Sequence, residues 1–380
     1  MRRSTIQTIL FGMAVLMGSH SIAAEESNSP SQARRILYNL DGCSCMFYKK
    51  NVYAPCAITT ADLRAIVDEL TQPGSQVDTL LVCVNAQVLY YPSKVGTMIG
   101  SVMSAEERNE SPPHVQRWIN NLEGFYARGV DPYAVILAEA KKRGLETIVS
   151  YRMNDAHGNN FLLGTFYQQH PEYRLGAGLN FGQEAVREYT FRILEEIVQR
   201  YDCDGIELDF NRFPTFFSDH TSEERIAMAN GLVERVHAMI GRESERRNRP
   251  MVLSARVPTS YEQCREIGLD PVIWTSQGWL DFLTVSEFLH VRYDLPVKPW
   301  KERISGVPVY ASIECTEGSA LEQCLTAEKY ARAARHLWDD GVDGIYLFNF
   351  FTTREWHEQS FEPPFEVLKE LGDRQKLADR

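Results

Sequence analysis

Cys203-Asp204-Gly205-Ile206-Glu207-Leu208-Asp209-Phe210-Asn211-Arg212-Phe213-Pro214 reads as a short apolar strand that carries two carboxylates on alternate positions and ends in a turn. Side chains alternate across a strand, so Gly205, Glu207 and Asp209 share one face while Ile206 and Leu208 take the other. An acidic face opposite an aliphatic one suits a barrel strand whose acidic side looks inward. Glu207 then lies deeper and Asp209 nearer the rim, where barrel enzymes carry out their chemistry.

Outward from this stretch, apolar strand-like runs alternate with helical patterns to the C-terminus. They fall at 36–41, 79–85, 146–154, 203–209, 251–257, 281–286, 307–314 and 343–349, the number that a closed (β/α)8 barrel requires. The expected fold is therefore α/β, a single (β/α)8 TIM barrel over residues 35–380, with elaborated connections after strands 2 and 3 at 86–129 and 156–180. Helix ends support it. Asp131-Pro132 supplies a cap and a first-turn proline, and Gly144 a stop. Thr221 and Glu224 form a capping box, Thr326 caps a helix that Gly341 ends, and apolar residues between Gln183 and Tyr201 recur at helical spacing. Asp204-Gly205-Ile206 recurs as Asp343-Gly344-Ile345, which aligns Tyr346 with Glu207 and Phe348 with Asp209, and so predicts aromatics on the eighth strand where the fourth carries acids.

Met1-Arg2-Arg3, the apolar run from Ile9 to Gly18 and the small residues Ser21-Ile22-Ala23-Ala24 read as an export signal over 1–24, followed by a flexible lead over 25–34. The expected destination is the periplasm or the exterior, with no stable membrane insertion after signal removal, because the run is well short of a spanning helix of ~20 residues. A formal charge of -11 argues against nucleic acid or an anionic membrane as partner and favours neutral or cationic ligands. Eight cysteines are compatible with disulfides, with Cys315 and Cys324 as a local pair. Cys43-Ser44-Cys45 lacks the spacer of a metal or redox site and no His-x-His pair ends the first strand, so no metal and no cofactor are expected.

Alternation gives the other strands an inward polar set: Asn39 and Asp41 on the first, Ser150, Arg152 and Asn154 on the third, Ser254 and Arg256 on the fifth, Tyr310, Ser312 and Glu314 on the seventh. Barrels filled for stability alone use branched apolar residues there, so this set implies a binding surface. Arg152, Glu207 and Arg256 are expected to form a charge-balanced lower layer that keeps Glu207 ionised and structural. Asp209 and Glu314 are expected to face each other across the mouth as the paired carboxylates that glycosidic hydrolysis needs, with Glu287 in reserve although alternation turns it outward. His157 and Arg212 are candidates to hold sugar hydroxyls. Among Tyr91, Trp118 and Phe348, Tyr91 is the aromatic expected to meet the ligand.

Gly129-Val130-Asp131-Pro132, Arg143-Gly144-Leu145, Val186-Arg187 and the segment Tyr201 to Pro214 together resemble secreted bacterial barrel proteins of the glycosyl-hydrolase-like family ten type, within the wider TIM-barrel glycosidases. Leu208-Asp209 resembles the fourth-strand aspartate nucleophile of amylase-like and galactosidase-like barrels. Asn211 stands where chitinase-like barrels carry the proton-donating acid of a comparable strand, so their mechanism is not implied. The resemblance implies a carbohydrate substrate and an exported glycoside hydrolase with Asp209 as nucleophile or base and Glu314 as general acid. A catalytically inactive glycan-binding barrel is the alternative.

Overall fold

The computed structural model describes residues 35–46, 57–320, 323–355 and 359–378; the expected signal and lead over 1–34, and Cys56, lie outside them. Eight strands, β1 (Arg35–Asp41), β2 (Thr79–Cys83), β3 (Glu146–Arg152), β4 (Gly205–Asp209), β5 (Val252–Pro258), β6 (Phe282–Ser286), β7 (Val309–Glu314) and β8 (Gly344–Phe348), close into a barrel in chain order. Every neighbouring pair is parallel, and β1 meets β8 through Arg35 opposite Gly344. All eight expected strands are present.

The alternation read from sequence separates two apolar clusters. Ile206, Leu208, Val149, Leu253 and Ala255 join the large core between the sheet and the surrounding helices. Leu37, Leu81, Ile148, Phe282, Tyr310, Tyr346 and Phe348 form a smaller cluster inside the barrel. The helices end where their caps say. Asp131 Oδ1 accepts from the N–H groups of Tyr133 and Ala134 at 3.0 and 3.2 Å, opening the helix Pro132–Lys142. Gly144 follows at φ +83, a conformation that a side chain would strain. Thr221 and Glu224 cap Ser222–Arg247 reciprocally, and Thr326 caps Ala327–Asp339, which buries Tyr330, Ala334, Leu337 and Trp338.

One device recurs four times around the floor. The aspartate just before each even strand accepts an amide at the start of the odd strand beside it, its first or second residue: Asp78 Oδ2 from Ile36 N, Asp204 Oδ2 from Thr147 N, Asp281 Oδ2 from Leu253 N and Asp343 Oδ2 from Val309 N, at 2.8 to 2.9 Å. Each satisfies a strand-end amide that would otherwise lack a partner. The barrel is thus stitched as four strand pairs, and the Asp-Gly-Ile echo is the part of this pattern visible in sequence.

Gly205 begins β4 where the backbone of β5 lies close: a Cβ there would stand 2.5 Å from the Val252 carbonyl oxygen and 2.8 Å from its Cβ. Backbone cannot yield as a flexible side chain can, so Gly205→Ala is expected to cost about 1–3 kcal/mol, read as a lower midpoint in urea unfolding. An unchanged midpoint would place the two strands further apart than they are here.

The connection over 86–129 holds two helices, Ala105–Glu110 and Pro113–Ala127, and buries its aromatics: Tyr90 meets Trp118 edge-on at 5.0 Å and lies 6.3 Å from Tyr133. The connection over 156–180 carries a short ribbon pairing Arg174–Leu175 with Gly178–Leu179.

Candidate active site

Above the apolar floor of the barrel lies a polar layer. Ser150 Oγ donates to Glu207 Oε1 at 2.7 Å, Tyr346 Oη donates to the same oxygen at 2.9 Å, and Asn39 Nδ2 donates to Tyr346 Oη at 2.7 Å. The eighth strand thus sets an aromatic beside the acid of the fourth, as the echo implies. Arg152 takes no part, so the expected Arg152–Glu207–Arg256 layer is corrected: Glu207 has hydroxyl partners, not arginines. Burial first, then the nearby Asp209, raise its pKa to about 7, which favours a held proton.

The rim layer is built on Arg256. Its Nη1 donates to Asp209 Oδ1 and Oδ2 at 3.2 and 3.1 Å, and its Nη2 donates to Glu314 Oε1 at 3.0 Å and Ser286 Oγ at 2.9 Å. The guanidinium carbon lies 3.7 Å from the centroid of Phe348, whose face supports it from β8. Asp209 Oδ1 also accepts the N–H groups of Asn211 and Arg212 as the chain turns out of β4. Asp209 and Glu314 are each 1% exposed. Burial pushes the Glu314 carboxyl up to about 8; Arg256 and Arg212 pull it down, while Asp209 and Glu287 push it further up. Glu314 Oε2 has no hydrogen-bond partner among the described residues. A guanidinium, not packed hydrocarbon, separates the two acids.

A second ionic chain runs beside the first. Arg152 Nη2 donates to Asp41 Oδ2 and its Nη1 to Asp155 Oδ2 at 3.4 Å. Asp155 meets His157 Nδ1 at 2.8 Å, and His157 Nε2 meets Arg212 Nη2 at 3.0 Å. Arginine can only donate, so His157 Nε2 accepts and its Nδ1–H donates to Asp155. Burial opposes ionisation of Asp41, but Arg152, Arg212 and hydrogen bonds from Cys43 and Arg152 hold its carboxyl below the usual range. Glu355, just past β8, accepts from Ser44 Oγ, and burial raises it to about 8. Asp41, Arg212, His290, Glu317, Thr352 and Glu355 are among the residues lining a cavity of about 750 Å³. Cys315 and Asn349, which follow Glu314 and Phe348 in the chain, complete its wall above the rim layer. A cavity of about 790 Å³ lined by Arg64, Asp68 and Val130 lies instead among outer helices, far from the strand ends that carry these acids.

Four expectations change. The third strand ends at Arg152, so alternation no longer governs Asn154: its amide donates to the carbonyls of Leu179 and Thr215 and accepts from Leu179 N, tying two connections together. Tyr91 is fully buried; its hydroxyl bonds Glu196 at 3.3 Å and its ring packs on Arg200 and Tyr201. Those residues end the helix that leads into β4, on the face opposite the mouth, so Tyr91 is a wall residue. Glu287 follows the end of β6 and reaches the rim through the turn, where Thr259 Oγ1 donates to it at 3.0 Å and Arg292 lies at 3.5 Å. Cys315 and Cys324 are both free thiols, and Cys315 Sγ is 3.1 Å from Thr352 Oγ1; the seven described cysteines form no disulfide. Asp155, Ser286 and Glu355 are site residues that the sequence reading missed: Asp155 lies beyond the end of β3, where alternation no longer applies, Ser286 lies on the inward face that turning Glu287 outward already implied, and Glu355 meets Ser44 only across 311 residues.

Among the described residues, no group of three His, Cys, Asp or Glu side chains is arranged to hold a metal ion. No described helix is long and apolar enough to cross a membrane.

Fold and mouth together define a (β/α)8 barrel with a carboxylate- and arginine-lined C-terminal face. No family model matches the chain, and no curated protein matches it. Solved structures do. The chain is similar to alpha-L-fucosidase isoenzyme 2 from Paenibacillus thiaminolyticus, with a TM-score of 0.52 and 10% identity over 91% of this chain and 49% of that one. It is similar to the glycoside hydrolase domain of PgaB (BpsB) from Bordetella bronchiseptica, with a TM-score of 0.50 and 9% identity over 89% and 98%. The chain spans about half the length of the fucosidase it matches. At these identities the likeness establishes the barrel fold.

Proposed function

We propose that the chain is an exported glycoside hydrolase of the family ten type, cleaving O-glycosidic bonds of a poly- or oligosaccharide at the barrel mouth. The observation that carries this reading is that carboxylates from β4 and β7 meet on one guanidinium next to Cys315 and Arg212, which line a cavity; burial, which pushes Glu314 up to about 8, suits it to hold a proton. Each facing oxygen lies about 3 Å from one end of the Arg256 fork, which keeps them no more than roughly 9 Å apart, so they do not exceed the separation at which paired carboxylates act on a glycosidic bond. Glu314 gives its proton to the leaving oxygen as the C–O bond breaks and the electron pair moves to that oxygen. Asp209 attacks the anomeric carbon or takes a proton from the attacking water. Arg256 holds both acids in place, and Arg152, Asp41, His157 and Arg212 shape the cavity above.

Asp209→Asn tests this. The variant is expected to fold and to lose about 10²–10⁴ of its rate, measured as reducing ends released from a panel of polysaccharides. Full activity in a folded variant would remove Asp209 from the mechanism. One observation favours a barrel that binds glycans without cleaving them: Arg256 engages both oxygens of Asp209. Saturable binding with no new reducing ends on any glycan would select that reading.

A further inference from the structure

Three arginines converge on the mouth, and their partners differ. Arg152 pairs with Asp41 and Asp155, and Arg256 with Asp209 and Glu314. Arg212 forms no ion pair within 4.0 Å among the described residues. Its Nη2 is held by His157, while its Nε and Nη1 are buried with no hydrogen-bond partner. Its guanidinium carbon lies 5.4 Å from the centroid of Phe213 and 6.0 Å from that of Phe288. The side chain is not loose: Asp155 orients His157, His157 orients Arg212, and Phe213 next to it adopts φ +56, a conformation rare for an aromatic residue. Burial, and Arg152 after it, push the Arg212 pKa down, the mark of a cation short of compensation. Arg212 lines the cavity, and its enclosed Nε and Nη1 lack acceptors, so its positive charge is under-compensated beside that space and draws acceptor oxygens that bear negative charge.

We propose that Arg212 receives an anionic substituent, a carboxylate or a sulfate ester, on the saccharide bound in the mouth. This names the substrate class of the proposed hydrolase and rests on the mouth being its saccharide site. The acids nearby do not oppose it. Asp41 is hydrogen-bonded to Arg152, and burial raises Glu355 to about 8, so near neutral pH it carries little negative charge. The chain's charge of -11 favours neutral or cationic ligands at long range, but within the mouth the nearest groups set the field.

The experiment reads binding, not turnover. The full chain is titrated calorimetrically with sodium D-glucuronate, sodium sulfate and D-glucose at low ionic strength and mildly acidic pH. Glucuronate is expected to bind, and to bind about tenfold or more weakly to Arg212→Gln, with Arg212→Lys between the two and glucose unchanged. Sulfate binding as tightly as glucuronate assigns a sulfated sugar; weaker sulfate binding assigns a uronate. Glucuronate and sulfate that both bind no better than glucose, or that bind equally well to a folded Arg212→Gln, overturn the inference. Thermal stabilisation of the wild-type chain by glucuronate but not by glucose gives the same reading without any variant. A chain that binds glucuronate yet releases no reducing ends defeats the hydrolase reading alone. One that hydrolyses a neutral glycan and ignores both glucuronate and sulfate defeats this inference alone.

Discussion

Glu314→Gln is expected to lower hydrolysis of substrates with poor leaving groups by about 10²–10⁴-fold and, at the same time, to stabilise the folded chain above neutral pH. Both effects come from one cause. The Glu314 carboxyl is 1% exposed and raised by burial to about 8, against a reference of 4.5. Between those two values the folded chain keeps a proton that the unfolded chain has released, so stability falls as pH rises through this window. Below about 4.5 both states are protonated and the group has no effect; above about 8 its full penalty, on the order of a few kcal/mol, is present. Glutamine does not ionise, so its variant should lack this part of the slope. Glu207, raised to about 7, and Glu355, raised to about 8, tilt the wild-type curve the same way. Asp41 and Asp155 act oppositely: burial disfavours their ionised forms, but arginines and hydrogen bonds hold both below the usual range, so their contribution is present above it and lost in acid. The chain should therefore be most stable in mild acid. Urea unfolding of both proteins across pH, beside rates on activated and unactivated glycosides, measures the pair of effects. Equal slopes would show that Glu314 ionises freely, and equal rates would remove it as the proton donor.

Arg256→Met should be the most destabilising substitution at the mouth, by about 3–5 kcal/mol. Methionine fills much of the volume over Phe348 but donates nothing, so Asp209 loses two contacts and Glu314 its guanidinium partner, with both acids still enclosed. The loss is chiefly the desolvation of the Asp209 carboxylate left without its guanidinium, more than the worth of the pairs themselves. Arg256→Lys retains charge without the fork and should fall between, since one ammonium cannot reach Asp209, Glu314 and Ser286 in the same geometry. Adding Asp209→Asn to Arg256→Met should recover part of the loss, and the double-mutant cycle isolates the coupling. A cost below about 1 kcal/mol for Arg256→Met would mean that solvent already screens these groups.

The spacing of Glu207 and Asp209 was readable as one face of a strand because alternation is a local rule of the backbone, and it correctly turned Asp209, Arg256 and Glu314 inward from three separate strands. The rule failed where strands stopped. Asn154 lies beyond the end of β3, and its amide was taken by loop backbone; Glu287 lies beyond β6 and came round to the rim that alternation denied it. Tyr91 failed for another reason: an aromatic in a long connection carries no sign of which end of the barrel that connection covers.

Sequence by itself determined the eight-strand barrel, the caps of its helices and the inward acids and arginines, because periodicity, capping and turn chemistry act over a few residues. Tertiary structure alone decided who pairs with whom. Arg256 lies 47 residues from Asp209 and 58 from Glu314, and Ser44 lies 311 from Glu355, so their contacts exist only once the barrel closes. The same closure assigned Arg152 to Asp41 and left Arg212 with two enclosed donors that lack a partner, since charge compensation depends on distance in space and not along the chain.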